Sequence, residues 1–252
     1  MAKKPNLIIV LLDQFRADKV ERLPILDEIK KEGVYFPEMI TYAPYTLASV
    51  HALLTGIYGN NNGVDAYFNG PNYDKNNCYT LAQHLSDYGF HCQLDTYSKI
   101  CFPSQGFNYV EEYSEDNDDV ISRHLDVLQQ VTKKNKYFLF LHYGGIHKPI
   151  IDNIVKKHDY DDDKYYSNIA ENTKVYDKLI DKTGDYIESL WSYLKEKLLA
   201  TNDMYIVEGN DWCDQYFGSC TCDKHIHKQG KNILGTLLME LRSFLNNEVE
   251  DV

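Results

Sequence analysis

The chain has 252 residues, enough for one large domain or two small ones, and its 43% hydrophobic and 25% charged content is globular rather than disordered or fibrous. Its 26 Lys and Arg against 38 Asp and Glu leave a formal charge of −12, which repels nucleic-acid phosphates and anionic lipid surfaces. The longest early apolar run, Leu7 to Leu12, falls far below the ~20 residues of a membrane span and lacks a leader-peptide cleavage pattern, so a cytoplasmic protein without a membrane span is expected.

Leu7 to Leu12 is a continuous Ile, Val and Leu stretch closed by Asp13, the pattern of a parallel strand buried on both faces that runs into a polar loop. Three- and four-residue apolar spacing predicts helices over Leu23 to Glu32, Thr46 to Leu54 and Thr80 to Tyr88, followed by a strand at Phe90 to Tyr97. Helix is predicted again at Asp118 to Val131, strand at Tyr137 to Tyr143, helix at Thr173 to Leu199, a weaker strand at Met204 to Glu208 and a last helix at Lys231 to Asn246. Glu115 to Asp119 and Asp159 to Lys164 read as solvated acidic loops, with Asp152 to Ser167 as a flexible excursion. This alternation predicts a single α/β domain over residues 1–252 with a mostly parallel central sheet sandwiched by helices. Ligands of such sheets sit beyond the carboxyl ends of the strands, which makes Asp13, Tyr143 to His147 and Glu208 to Asp211 site candidates.

Pro44 is unsuited to a helix interior, while Thr46 followed by Leu47 to Leu54 without a breaker fits a helix that begins at Thr46. Taken alone, Thr46 reads as an ordinary N-cap. Its company changes that reading. The segments NLIIVLLDQFRAD, LPILDEIKKEGVYF, APYTLASVHALLTGIYGNNNGV, YTLAQHLSDYGFH, QGFNYVEEY, YFLFLHYGGIHKP and YDKLIDKTGDYIESLWSYLKE follow one another from Asn6 onward. In order and spacing they resemble the alkaline phosphatase and sulfatase superfamily, with Ala52-Leu53-Leu54-Thr55-Gly56 the strongest single match.

The resemblance implies an alkaline-phosphatase-like fold and a metal-dependent phosphoryl-ester hydrolase or phosphotransferase. It places Thr46 on the nucleophile, as in phosphoethanolamine and phosphoglycerol transferases and some phosphodiesterases. Sulfatases of the formylglycine type need Cys or Ser in a Cys/Ser-x-Pro-x-Arg motif, where this chain has Thr46-Leu47-Ala48-Ser49-Val50, so sulfatase activity is a lesser alternative. A threonine hydroxyl is a poor nucleophile at neutral pH, and a bound cation would stabilise its alkoxide. The implied metal ligands are Asp13, Gln14, Thr46, Asn210, Asp211, His225 and His227. His147 is implied to contact the transferred group or protonate the leaving oxygen, Lys148 to add charge, and Gly144-Gly145 to let a ligand approach the backbone. The substrate is expected to be small and phosphorylated or otherwise anionic.

Two departures qualify the expectation. The row Ile206-Val207-Glu208-Gly209-Asn210-Asp211-Trp212 lacks the family's usual Asp-His pair; Zn²⁺ stays the first choice of ion, but the missing imidazole weakens its case and admits the harder Mg²⁺, Mn²⁺ or Ca²⁺. The chain stops soon after Lys231 to Asn246, a reduced C-terminal part, which keeps open a catalytically degenerate relative that binds an anion or a partner. Six cysteines in a chain of this size read as reduced thiols. Cys213, Cys220, Cys222, His225 and His227 could bind zinc structurally, although C-x6-C-x-C-x2-H-x-H matches no standard finger.

Overall fold

The computed structural model describes residues 6–114, 116, 119–152, 169–201, 204–205, 209–210, 213–216, 219–220, 222–225 and 228–250. Strand β1 (Leu7–Leu12) leads through a short 3-10 turn into α1 (Pro24–Glu32), α2 (Thr46–Thr55) and the single turn α3 (Gly59–Asn62). Then come α4 (Leu81–Asp87), β2 (His91–Thr96), β3 (Tyr109–Glu112), α5 (Val120–Val131), β4 (Tyr137–Tyr143) and the single turn α6 (His147–Ile150). The long α7 (Ile169–Leu199), the two-residue strands β5 (Gly209–Asn210) and β6 (Ser219–Cys220), and α8 (Ile233–Glu250) complete the order.

The main sheet has the order β1-β4-β2-β3 and all its pairs are parallel. β4 is central and buried throughout, and its alternating side chains define two cores. Leu139, Leu141 and Tyr143 point to α5 and α7, where they meet Leu128, Val131, Ile180 and Tyr186. Phe138 and Phe140 point the other way, to Val50 and Leu54 of α2 and to Ala82 ahead of Phe90. The result is the sandwich expected of a strand that is apolar on both faces.

β1 departs from its sequence expectation. It stands at the end of the described sheet, so Val10 is 37% exposed and the strand is half-buried rather than fully buried. β3 was not anticipated, because four residues reading YVEE carry little apolar signal. Met204 and Tyr205 are exposed and outside any strand, while residues 206–208 of the expected strand lie outside the described residues.

Local chemistry explains the helix ends next to the site. Thr80 and Gln83 form a reciprocal capping box at α4, with Gln83 N–H donating to Thr80 Oγ1 at 3.1 Å and Thr80 N–H to Gln83 Oε1 at 3.0 Å. α2 stops where Thr55 bonds back to the His51 carbonyl at 2.6 Å and Gly56 takes φ +67°, its N–H closing on Ala52 O at 2.9 Å. The Leu-Thr-Gly run is therefore a helix terminator, and it fixes the length of the helix whose other end enters the site.

Candidate active site

Asp13 follows β1 directly, and its backbone N–H still pairs with Tyr143 O at 3.0 Å, so the sheet aims its side chain beyond the carboxyl ends of the strands. Its Oδ2 accepts from the Thr46 hydroxyl at 3.1 Å, from His142 Nε2 at 3.3 Å and from the Tyr97 hydroxyl. Burial alone would raise the Asp13 pKa, but hydrogen bonds from His142 and Tyr97, the charge of His142 and the Thr46 bond outweigh it and bring it down to about 2. Asp13 is therefore an ionised anchor at neutral pH and too weak a base to take a proton from a hydroxyl.

Thr46 is not the N-cap. Tyr45 is, without a side-chain cap bond, and Thr46 is the first residue of α2. Its hydroxyl is thus turned toward Asp13 at the positive end of a ten-residue helix, where the first backbone N–H groups have no intrahelical acceptor.

His142 is oriented from behind. Thr96 Oγ1 accepts Ser98 N–H at 3.0 Å and lies 2.8 Å from His142 Nδ1, which holds the ring so that Nε2 faces Asp13 Oδ2 at 3.3 Å. Tyr97 lies over His142 with ring centroids 4.3 Å apart and stacks on His147 at 5.3 Å. Asp13, Thr46, Tyr97 and His147 line a cleft of about 1750 Å³ whose wall also includes Gln14, Arg16, Tyr45, Tyr67, Phe68 and Tyr176. The cleft is large enough for a drug-sized ligand.

Of the expected site residues, the structure brings Asp13, Gln14, Thr46 and His147 to one cleft. Lys148 is turned away, paired with Asp116 at 3.0 Å and Asp152 at 2.9 Å, so its charge is already engaged. His225 stands 3.4 Å from Cys222 Sγ through Nδ1 and belongs to the cysteine cluster rather than to Asp13. Asp211 and His227 lie outside the described residues, as does the side chain of Asn210. Gly145 has a different use from the one expected: a Cβ there would sit 2.2 Å from the Tyr143 hydroxyl, so the close approach is by the protein's own tyrosine.

Sequence reasoning missed His142 and Tyr97. His142 was hidden inside a run read as an apolar strand, where a histidine among YFLFLHY was itself the signal of a buried polar role. Tyr97 closed a predicted strand and could have been found by the rule that selected Asp13.

The donors present suit a divalent cation on one side. Two oxygen ligands about 2.0–2.2 Å from a tetrahedral ion lie about 3.3–3.6 Å apart, so the Asp13 and Thr46 oxygens, now 3.1 Å apart, need to part by only a few tenths of an ångström to share one. The Asp13 side chain is 12% exposed, and among the described residues no Lys or Arg pairs with it.

A family model described as Sulfatase matches residues 5–203. The chain is 31% identical over 97 residues to an arylsulfatase of Clostridium perfringens (strain 13 / Type A), a match covering 36% of this chain and 20% of that enzyme. The C-terminal periplasmic domain of EcEptC from Escherichia coli, in complex with Zn, is similar in fold with a TM-score of 0.54 and 15% identity, over 79% of this chain and 61% of that one. Murine ectonucleotide pyrophosphatase/phosphodiesterase 5, an inactive threonine-to-alanine variant in complex with AMP, gives a TM-score of 0.50 and 17% identity over 77% and 53%. The chain therefore spans a fifth of the arylsulfatase and little more than half of the two solved relatives. Among the described residues no helix is long and apolar enough to cross a membrane. With a family match over most of its length and a parallel sheet that ends in a carboxylate facing a helix-opening hydroxyl, the chain belongs to the sulfatase family and has an alkaline-phosphatase-like fold.

Proposed function

We propose that this protein is a metal-dependent phosphoryl-ester hydrolase or phosphotransferase with Thr46 as nucleophile. The observation that carries the reading is the Thr46 hydroxyl, unused as a cap and 3.1 Å from an ionised Asp13 in the same cleft. Asp13 and Thr46 would hold the ion, with Asp211 the candidate to complete the set. A bound divalent ion supplies alkoxide stabilisation and neutralises phosphoryl charge.

The chain's own groups do the rest. The N-terminus of α2 would face the phosphoryl oxygens with its N–H groups, Thr46 would attack phosphorus in line as its proton passes to solvent, His147 in the same cleft would protonate the departing oxygen, and water or an acceptor alcohol would then release the phosphoryl group from Thr46. Asp13 keeps its proton off throughout, because His142 and Tyr97 hold it ionised. The fold relative whose variant lost activity when a threonine became alanine supports a threonine in this role.

The test is turnover of an activated aryl phosphodiester with Zn²⁺, Mn²⁺, Mg²⁺ or Ca²⁺ added singly. Thr46→Ala should lose at least about 10³-fold in kcat, while Thr46→Ser keeps measurable turnover. Equal rates for wild type and Thr46→Ala would overturn the assignment. A sulfatase reading is favoured by the arylsulfatase relative and opposed by the missing Cys/Ser-x-Pro-x-Arg motif. An aryl sulfate run in parallel decides it: hydrolysis of the sulfate but not the phosphodiester replaces our substrate class.

A further inference from the structure

Outside the cleft, one cluster of ligand-type side chains has no role in the chemistry above. Cys213, Cys220, Cys222 and His225 each present a ligand atom, and all four atoms lie within 4.8 Å of one another. Cys213 Sγ is 3.3 Å from Cys222 Sγ, and Cys222 Sγ is 3.4 Å from His225 Nδ1. Sulfurs about 2.3 Å from a tetrahedral zinc stand roughly 3.8 Å apart, and a sulfur and an imidazole nitrogen slightly less, so the group has the span of one coordination shell.

The backbone is shaped for it. Cys213 has φ +70°, a left-handed conformation that costs a non-glycine residue energy and persists where the surroundings hold it. Cys222 N–H donates to Cys220 Sγ at 3.4 Å, which fixes the direction of that sulfur within the group. β5 and β6 pair Asn210 with Cys220, Gln215 Oε1 accepts Cys220 N–H at 3.1 Å, and Gln215 Nε2 donates to Lys228 O at 3.1 Å. Hydrogen bonds thus tie the cluster into α8's approach, yet among the described residues of 213–225 only Cys220 is buried. A segment with so little apolar burial is where a metal staple substitutes for a core.

We propose that Cys213, Cys220, Cys222 and His225 form a structural zinc site, separate from the catalytic ion. Binding releases the three thiol protons and leaves three thiolates and a neutral imidazole on the ion, a closed Cys₃His set with no open position for substrate. The other three cysteines do not converge with this group among the described residues, and burial pushes the Cys92 thiol up to about 11 and the Cys101 thiol upward.

The experiment uses the full chain purified under reducing conditions without chelator. Metal analysis should find zinc that Asp13→Ala retains and Cys222→Ser loses. Cobalt substitution should give a thiolate-to-metal charge-transfer band present in wild type and in Asp13→Ala and absent in Cys222→Ser, so loss of the catalytic ion and loss of this site are read separately. If Cys222→Ser does not fold, X-ray absorption on wild-type zinc protein decides, with about three sulfurs at about 2.3 Å expected. A shell of oxygen and nitrogen alone, no zinc beyond what Asp13→Ala removes, or a Cys213 to Cys222 disulfide in the reduced preparation overturns the proposal.

Discussion

Two carboxylate–histidine pairs sit on opposite faces of one sheet, and their difference separates function from stability. Asp95, fully buried on β2, is gripped by Arg123 through Nε at 3.0 Å and Nη2 at 2.9 Å, with His124 Nε2 at 3.4 Å and His124 Nδ1 in turn 2.7 Å from the Tyr186 hydroxyl. Asp13 meets a hydroxyl, a phenol and an imidazole but, among the described residues, no Lys or Arg. The first carboxylate carries its counter-cation within the fold. The second keeps its negative charge at the floor of an open cleft, available to a cation from solution.

Crossed variants sharpen that contrast. Asp13→Asn should reduce turnover by about 10³-fold, the several kcal/mol that a positioned ion contributes, while costing only about 1–2 kcal/mol of folding stability through weaker hydrogen bonds. Asp95→Asn should do the reverse, losing about 3–5 kcal/mol because Arg123 is left against an uncharged partner, with kcat of the folded fraction within a few-fold of wild type. Urea unfolding and specific activity on the same preparations check both. If Asp95→Asn abolishes turnover in fully folded protein, the division fails.

How much of this was legible in the sequence follows the range of the interactions. β1, α2 and β4 were readable to within a residue because a buried parallel strand and a capped helix are written in contiguous residues. Asp13 and Thr46 were named from their motif, but their 3.1 Å contact joins segments 33 residues apart and is set by the sheet. The partners of His142 could not be read from its own strand, because Thr96 comes from β2 and Asp13 from the residue after β1. The cysteine cluster fits no standard finger spacing because its convergence depends on the β5–β6 pairing and a left-handed Cys213.

The next largest effect is on pH. His124 and His51 are both buried, and burial lowers each below its ordinary 6.5 despite the Asp95 bond to His124 and backbone bonds to His51. Above pH 6.5 both folded and unfolded chains hold them neutral and their contribution is complete. As pH falls below 6.5 the unfolded chain takes up protons first, so stability declines toward the depressed folded values, by up to ~1.4 kcal/mol per pH unit per histidine. Carboxylates begin to contribute only near pH 4.5, so the window from pH 6.5 to about 5 separates the histidines from the acids. Denaturant midpoints should fall across it, and less steeply in His124→Gln; a flat profile in wild type would show that neither is held neutral.

The smallest effect tests how the catalytic carboxylate is aimed. Gln14, next to Asp13, has φ +59°, and the turn is clipped by Tyr176 of α7, whose hydroxyl donates to Gln14 O at 2.8 Å and accepts Arg16 N–H at 3.0 Å. Removing that hydroxyl in Tyr176→Phe leaves two backbone groups to water and costs about 1 kcal/mol, but it also frees the residue that points Asp13 at Thr46, so kcat should fall several-fold. The exposed Arg16–Asp18 pair at 2.8 Å is the control, because it touches the same turn through side chains at 64% and 55% exposure. Asp18→Asn should leave both stability and kcat essentially unchanged, because water screens an exposed pair. Equal kcat losses in the two variants would mean that the turn answers to surface charge; a loss confined to Tyr176→Phe would mean that α7, through one hydroxyl, sets the direction of Asp13 from the far side of the cleft.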